Sequence, residues 1–146
     1  METNKTAVVD QLNSFLRGEI SSVETYQKAM EKLKDSKARP QLTEVMTSHE
    51  QRVRALKDRI TSLGGKPTDG SGIWGAFAKL YQGGATVAGD SAAIAALESG
   101  EDHGLADYRR DLSKLDGDTR TFVESNLLPE QEQTHRVLST LKKTLH

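Results

Sequence analysis

The 146-residue chain reads as an all-α bundle of four helices, built from two antiparallel hairpins joined by a long crossover. Apolar residues recur in alternating steps of four and three along four separate stretches, the spacing that lays one stripe on each core-facing helix. No stretch alternates with period two for long enough to form a strand. Eight of the 12 glycines fall between Gly64 and Gly89, so a loop-rich segment interrupts two regular halves.

The first stripe, Leu12, Leu16, Glu19, Val23, Tyr26, Met30 and Leu33, predicts a helix over residues 4–35. A polar hinge, 34–39, follows, and Pro40 suits the first turn of a second helix, where a missing N–H costs nothing. That helix, 40–63, carries Leu42, Met46, His49, Val53, Leu56, Ile60 and Leu63, and Gly64 is its natural stop. Residues 64–90 are too many for a hairpin turn. They include Pro67 and a helical run, Ile73–Tyr81, predicted as a short fifth helix. A short helix with extended flanks spans most of a bundle, at ~1.5 Å per helical and ~3.3 Å per extended residue. A third helix, 91–115, follows with Ile94, Glu98, Glu101, Leu105, Tyr108, Leu112 and Leu115, capped by Asp90 or Ser91. The fourth, 119–145, is capped by Asp118 and shows a looser stripe of Phe122, Ser125, Leu128, Glu132, His135, Leu138, Leu141 and Leu145. Pro129 lies within it and predicts a kink, because its ring clashes with the carbonyl four residues back.

Composition narrows the function. Hydrophobic residues make up 35% and charged residues 28%, with a net charge of −1, which suits one folded domain over residues 1–146. The balanced charge argues against nucleic acid, whose binding depends on neutralising phosphates. The absence of cysteine excludes disulfides, thiolate metal sites and cysteine nucleophiles. No apolar run is long enough for a membrane span, and the first residues lack a signal peptide's pattern, so a cytoplasmic protein is expected. Gly70-Ser-Gly-Ile-Trp-Gly75 spells G-x-G-x-x-G, but a helix precedes it where a dinucleotide site needs a strand. No nucleophile elbow or phosphate-binding Gly-Lys-Ser/Thr occurs. Trp74, Phe77, Leu80 and Tyr81 form an amphipathic short helix with Lys79 as its charge, which suits packing on the bundle or an oligomer contact, with self-association as a dimer or larger, rather than a membrane surface.

The two halves repeat. Gly18-Glu19-x6-Tyr26-x6-Leu33 aligns without gaps on Gly100-Glu101-x6-Tyr108-x6-Leu115, at an offset of 82. Each Glu sits on a core stripe, where a lone carboxylate is costly to bury. Ser48-His49 corresponds to Thr134-His135, and the turn before His135 supplies Glu132. A Glu from each of two helices, with Glu-x2-His from the other two, is the ligand pattern of di-iron and di-manganese carboxylate bundles. The i, i+3 spacing puts both ligands on one helical face. Glu19, Glu101, Glu132, His135 and His49 are accordingly the candidate ligands, for iron or manganese. His103 and His146 receive no role.

These features resemble the ferritin-like superfamily and, more closely, an uncharacterised bacterial family of ferritin-like four-helix bundles. The most specific stretch is Asp90-Ser-Ala-Ala-Ile-Ala-Ala-Leu-Glu98-Ser-Gly-Glu101-Asp-His-Gly-Leu-Ala-Asp-Tyr108, followed by the Leu-His pattern of the last helix. The resemblance covers nearly the whole chain. It implies a ferritin-like fold and brings no agreed activity.

The sequence departs from the metal pattern. Met46 stands where the second helix should carry a carboxylate, although Glu98 lies on a stripe and could replace it. Counted from the hinges, Glu101 and Glu132 are level, Glu24 is the nearer level-mate of His49, and Arg52 and Arg54 are level with Glu19. An Arg there neutralises the carboxylates without metal. Two functions follow. The favoured one is a metal-free structural, assembly or stress-related module. The other is a carboxylate and His metal-binding protein in metal storage or oxygen and peroxide chemistry.

Overall fold

A computed structural model describes residues 2–33, 37–70, 90–115 and 117–144. Its helices are α1 (Glu2–Lys32), α2 (Arg39–Ser62), α3 (Asp90–Leu112), α4 (Gly117–Phe122) and α5 (Leu128–Thr144). A π-helical turn, Val123–Leu127, joins α4 to α5 without a break, so the fourth predicted helix is this composite rod. Among the described residues there is no strand. The short helix expected over Ile73–Tyr81, with Trp74, lies outside the described residues.

Two apolar clusters fix the direction of every helix. One gathers Tyr26, Ala29 and Leu33 with Leu42, Val45, Ala93, Ile94, Leu97, Leu138 and Leu141. The other gathers Leu12, Phe15 and Leu16 with Leu56, Ile60, Tyr108, Leu115, Val123 and Leu127. The start of α2 and the start of α3 therefore share one end of the bundle, and their later turns share the other. These two helices run parallel, as the length of the crossover requires. α1 pairs with α2, and α3 with α5, as antiparallel hairpins.

Local chemistry explains the ends. Pro40 occupies the first turn of α2. At the far end Gly64 takes φ +80°, its N–H bonds to Thr61 O, and the Gly65 N–H bonds to Ile60 O. That pair of bonds is a Schellman stop, which favours glycine because the left-handed conformation crowds any Cβ. Just before Pro129, where a kink is expected, the backbone forms the π-helical turn. There the Leu128 N–H bonds to Val123 O, five residues back, and the wider turn precedes the proline ring.

Candidate functional site

Between the two apolar clusters, at mid-height, lies a buried polar cluster contributed by all four rods. Glu19 from α1 and Glu101 from α3 are 4% and 2% exposed. His49 from α2 stands between them, with Nδ1 2.5 Å from Glu19 Oε1 and Nε2 2.6 Å from Glu101 Oε2. Arg52, one turn further on, is 1% exposed. It donates from Nη1 to Glu19 Oε2 at 3.2 Å and to Gln131 Oε1. Its Nη2 donates to Thr134 Oγ1 at 3.1 Å and Ser48 Oγ at 3.2 Å. Gln131 and Thr134 of α5 donate to Glu101 Oε1 at 3.0 and 2.7 Å. Each repeat serves the other's carboxylate: Tyr26 donates to Glu101 at 2.6 Å, and Tyr108 to Glu19 at 2.5 Å.

The geometry sets the charges. A carboxylate only accepts, so two carboxylates require an N–H on each ring nitrogen, and His49 is an imidazolium. The buried set is then two anions and two cations, with no net charge. Burial alone would push the Glu101 carboxyl up. His49, Arg52 and the Tyr26 hydroxyl outweigh it and hold Glu101 down at about 2. Glu19 is lowered in the same way, against its burial, by Arg52 and His49 and by hydrogen bonds from His49 and Tyr108. Burial and Arg52 both disfavour a charged His49, yet Glu101 and Glu19 prevail and raise it above the usual histidine range. Burial, then the adjacent carboxylate, pushes both tyrosines well above the usual phenol range. The chain Tyr108–Glu19–His49–Glu101–Tyr26 thus holds its protons in fixed places. A cavity of about 80 Å3 opens beside Glu19, between Gly18, Gly100 and Gly104.

Of the candidate ligands, the structure brings Glu19, Glu101 and His49 together and leaves Glu132 and His135 outside. Glu132 is half-buried and pairs with Arg109 at 3.3 Å. His135 lies 3.6 Å from Glu98 and 3.5 Å from Asp102. Both lie after the π turn in unbroken α-helix, where Leu127, Gln131, Thr134, Leu138 and Leu141 are buried in steps of four and three, whereas the expected stripe steps three from Glu132 to His135 and three again to Leu138 and so runs one residue off that face. The buried residues of the rod are Thr119, Val123, Leu127, Gln131, Thr134, Leu138 and Leu141. The height expected for His49 also changes. Glu19 lies 13 residues before the end of α1 and His49 ten after the start of α2, so they differ by only three residues, ~4.5 Å, which two long side chains span. Glu24 and Arg54 are exposed, and Arg52 alone of the two arginines reaches the carboxylates.

Gln131 and Thr134 were not singled out by sequence reasoning, although a signal for them exists. The offset of 82 that relates α1 to α3 also carries His49 to Gln131 and Arg52 to Thr134. It carries Met46 to Leu128, so both positions for a carboxylate three residues before the site are apolar and packed on the cores. As arranged, this donor set does not fit a pair of ions. Both nitrogens of His49 face carboxylates, a guanidinium stands beside Glu19, and two carboxylates of the pattern are replaced by Met46 and Leu128. Among the described residues no group of three or more His, Cys, Asp or Glu is arranged to hold a metal. Nor, among them, is any helix long and apolar enough to cross a membrane.

Comparison with known proteins agrees with this architecture. The family model described as domain of unknown function (DUF2383) matches residues 7–114. A two-domain protein from Anabaena variabilis, with DJ-1/ThiJ/PfpI-like and ferritin-like domains, is similar in structure at a TM-score of 0.77 and 21% identity. The match covers 97% of this chain and 37% of that one, so the chain spans little more than a third of that protein's length. A dodecameric thioferritin from Bacteroides fragilis, described as bacterioferritin-related, is similar at a TM-score of 0.77 and 18% identity, over 97% of this chain and 87% of that one. Among curated proteins, no sequence matches the chain.

Proposed function

The chain belongs to the family described as domain of unknown function DUF2383 and has a ferritin-like fold, and from that premise we propose that it works as a metal-free structural or assembly module. The observation that carries this reading is the guanidinium of Arg52, 1% exposed and bonded to Glu19 in the middle of the bundle. With His49 it neutralises both carboxylates, the task a pair of divalent cations performs in the carboxylate bundles. The cluster ties all four rods together and fixes their register. A half-satisfied polar core is worse than an apolar one, whereas a fully paired one specifies a single packing.

Self-association belongs to the same proposal, since one structural neighbour is a dodecamer and another carries its ferritin-like domain beside a second domain. Both parts are checked on protein purified without a His tag. Elemental analysis is expected to find iron and manganese far below one ion per chain, and light scattering to find a mass above the 16.0 kDa of one chain. One or two ions per chain would overturn the metal-free reading and return Glu19 and Glu101 to the role of ligands. A monomer at high micromolar concentration would remove the assembly role.

A further inference from the structure

We propose that the buried charges select the partner of each hairpin: the inner face of α1–α2 fits an α3–α5 hairpin, in its own chain or in a second copy of it, and rejects a second α1–α2 hairpin. The proposal deepens the assembly reading and rests on it, since the cations concerned are side chains and not metal.

The need for a selector comes from the repeat. The offset of 82 exchanges the two apolar clusters: Leu12 answers to Ile94, Val45 to Leu127 and Leu56 to Leu138, with one member of each pair in either cluster. All of these side chains are aliphatic, and aliphatic packing discriminates weakly between surfaces so alike. The polar layer repeats in the same way. Within α1–α2, His49 and Arg52 bond to Glu19, and within α3–α5, Gln131 and Thr134 bond to Glu101. Across the hairpins, Tyr26 donates to Glu101 and Tyr108 to Glu19. The arrangement is that of a two-fold pair, so by shape alone either hairpin suits a second of its own kind.

Charge breaks the symmetry. His49 and Arg52 both lie on α2, and their counterparts on α5 are the neutral Gln131 and Thr134. The first hairpin therefore brings one anion and two cations to the layer, and the second brings one anion and no cation. Paired as in the structure, they balance. Both cations also bond across the divide, His49 to Glu101 and Arg52 to Gln131 and Thr134. Two α1–α2 hairpins would instead bury four cations against two anions, and two α3–α5 hairpins would bury two carboxylates with no cation. Uncompensated ions in an interior are strongly unfavourable, so charge excludes pairings that fit would allow. Nineteen residues separate Gly70 from Asp90, enough chain to reach ~60 Å, so the two hairpins of one chain can serve different bundles. Copies that meet while folding are thereby restricted to pairings that keep the layer neutral.

The test moves the cations from one hairpin to the other in the full chain. His49→Gln with Arg52→Thr leaves the layer without a cation, and Gln131→His with Thr134→Arg gives it four. Each double variant should lower the melting temperature by roughly 10 °C or more. The quadruple variant carries its two cations on α5 and should recover most of either loss. Losses that add in the quadruple variant would overturn the proposal, as would double variants that melt like the wild type. Between copies, the two double variants complement each other, because hairpins exchanged between them again bury balanced charge. Refolded together from urea, they are expected to give a 1:1 complex that melts above either variant alone. A mixture no more stable than its components would overturn selection between copies, and this measurement stands even where a double variant does not fold by itself. A metal-bearing or monomeric wild type would defeat the assembly reading by elemental analysis or light scattering, whereas these melts, run in chelator, read charge balance alone.

Discussion

A histidine with a carboxylate on each ring nitrogen keeps both its protons, and this fixes how stability should vary with pH. Folding raises His49 above its ordinary 6.5, so its contribution is complete below that value and is lost as pH rises through the folded pKa. Folding lowers Glu101 from 4.5 to about 2, so its contribution is complete above 4.5 and is lost as pH falls towards 2. Urea titrations should therefore find maximal stability between 4.5 and 6.5, with a decline on the alkaline side that His49→Gln flattens. An alkaline limb identical in the variant would contradict the imidazolium. Arg52 gives a second test at this scale. Arg52→Met leaves two buried carboxylates with one cation and should cost ~3–5 kcal/mol. Arg54→Met removes an exposed charge away from the cluster and should stay within ~0.5 kcal/mol. Equal effects of the two, in urea denaturation, would contradict the placement of Arg52.

The rod from Gly117 to Thr144 shows what a single extra residue does to an element. Counting from α2, Leu42 corresponds to Val123 at an offset of 81, but Val45 corresponds to Leu127 and His49 to Gln131 at 82. The step lies in the π turn, which keeps Thr119 and Val123 facing the core upstream while Gln131 and Thr134 face Glu101 downstream. Deleting Ser125 should remove the turn, rotate α4 by ~100° and draw Val123 out of the core, at ~1.5–3 kcal/mol for that side chain. A deletion variant as stable as the wild type in urea would show that the turn is dispensable. In the first three helices the stripes of Leu12 to Leu33, Leu42 to Leu63 and Ile94 to Leu115 are legible because their apolar residues keep the steps of four and three. In the fourth the stripe is looser: Glu132, His135 and Leu138 follow one another in steps of three, one residue off the buried face of Gln131 and Thr134. Neutral partners also carry no chemical signature of their own. The carboxylates and tyrosines were found because the repeat doubles them.

Across the whole molecule, the bundle is two apolar cores separated by a charge-balanced layer. The parallel course of α2 and α3 was legible from loop length alone, since a chain leaving one end must return along the bundle to start at the other. What filled the layer was not legible, because Arg52 and Arg54 lie two residues apart and only the helical phase decides which turns inward. That phase puts a permanent cation where the carboxylate pattern would admit a metal, and an Arg cannot be removed by a chelator. Binding of any ion to the native state alone would raise the melting temperature, by an amount that grows with the logarithm of its concentration over its dissociation constant. Thermal melts of the untagged wild type with chelator, with added iron and with added manganese therefore test the central claim most directly. The account predicts one melting temperature under all three conditions, whereas a fall with chelator matched by a rise with either metal would contradict it.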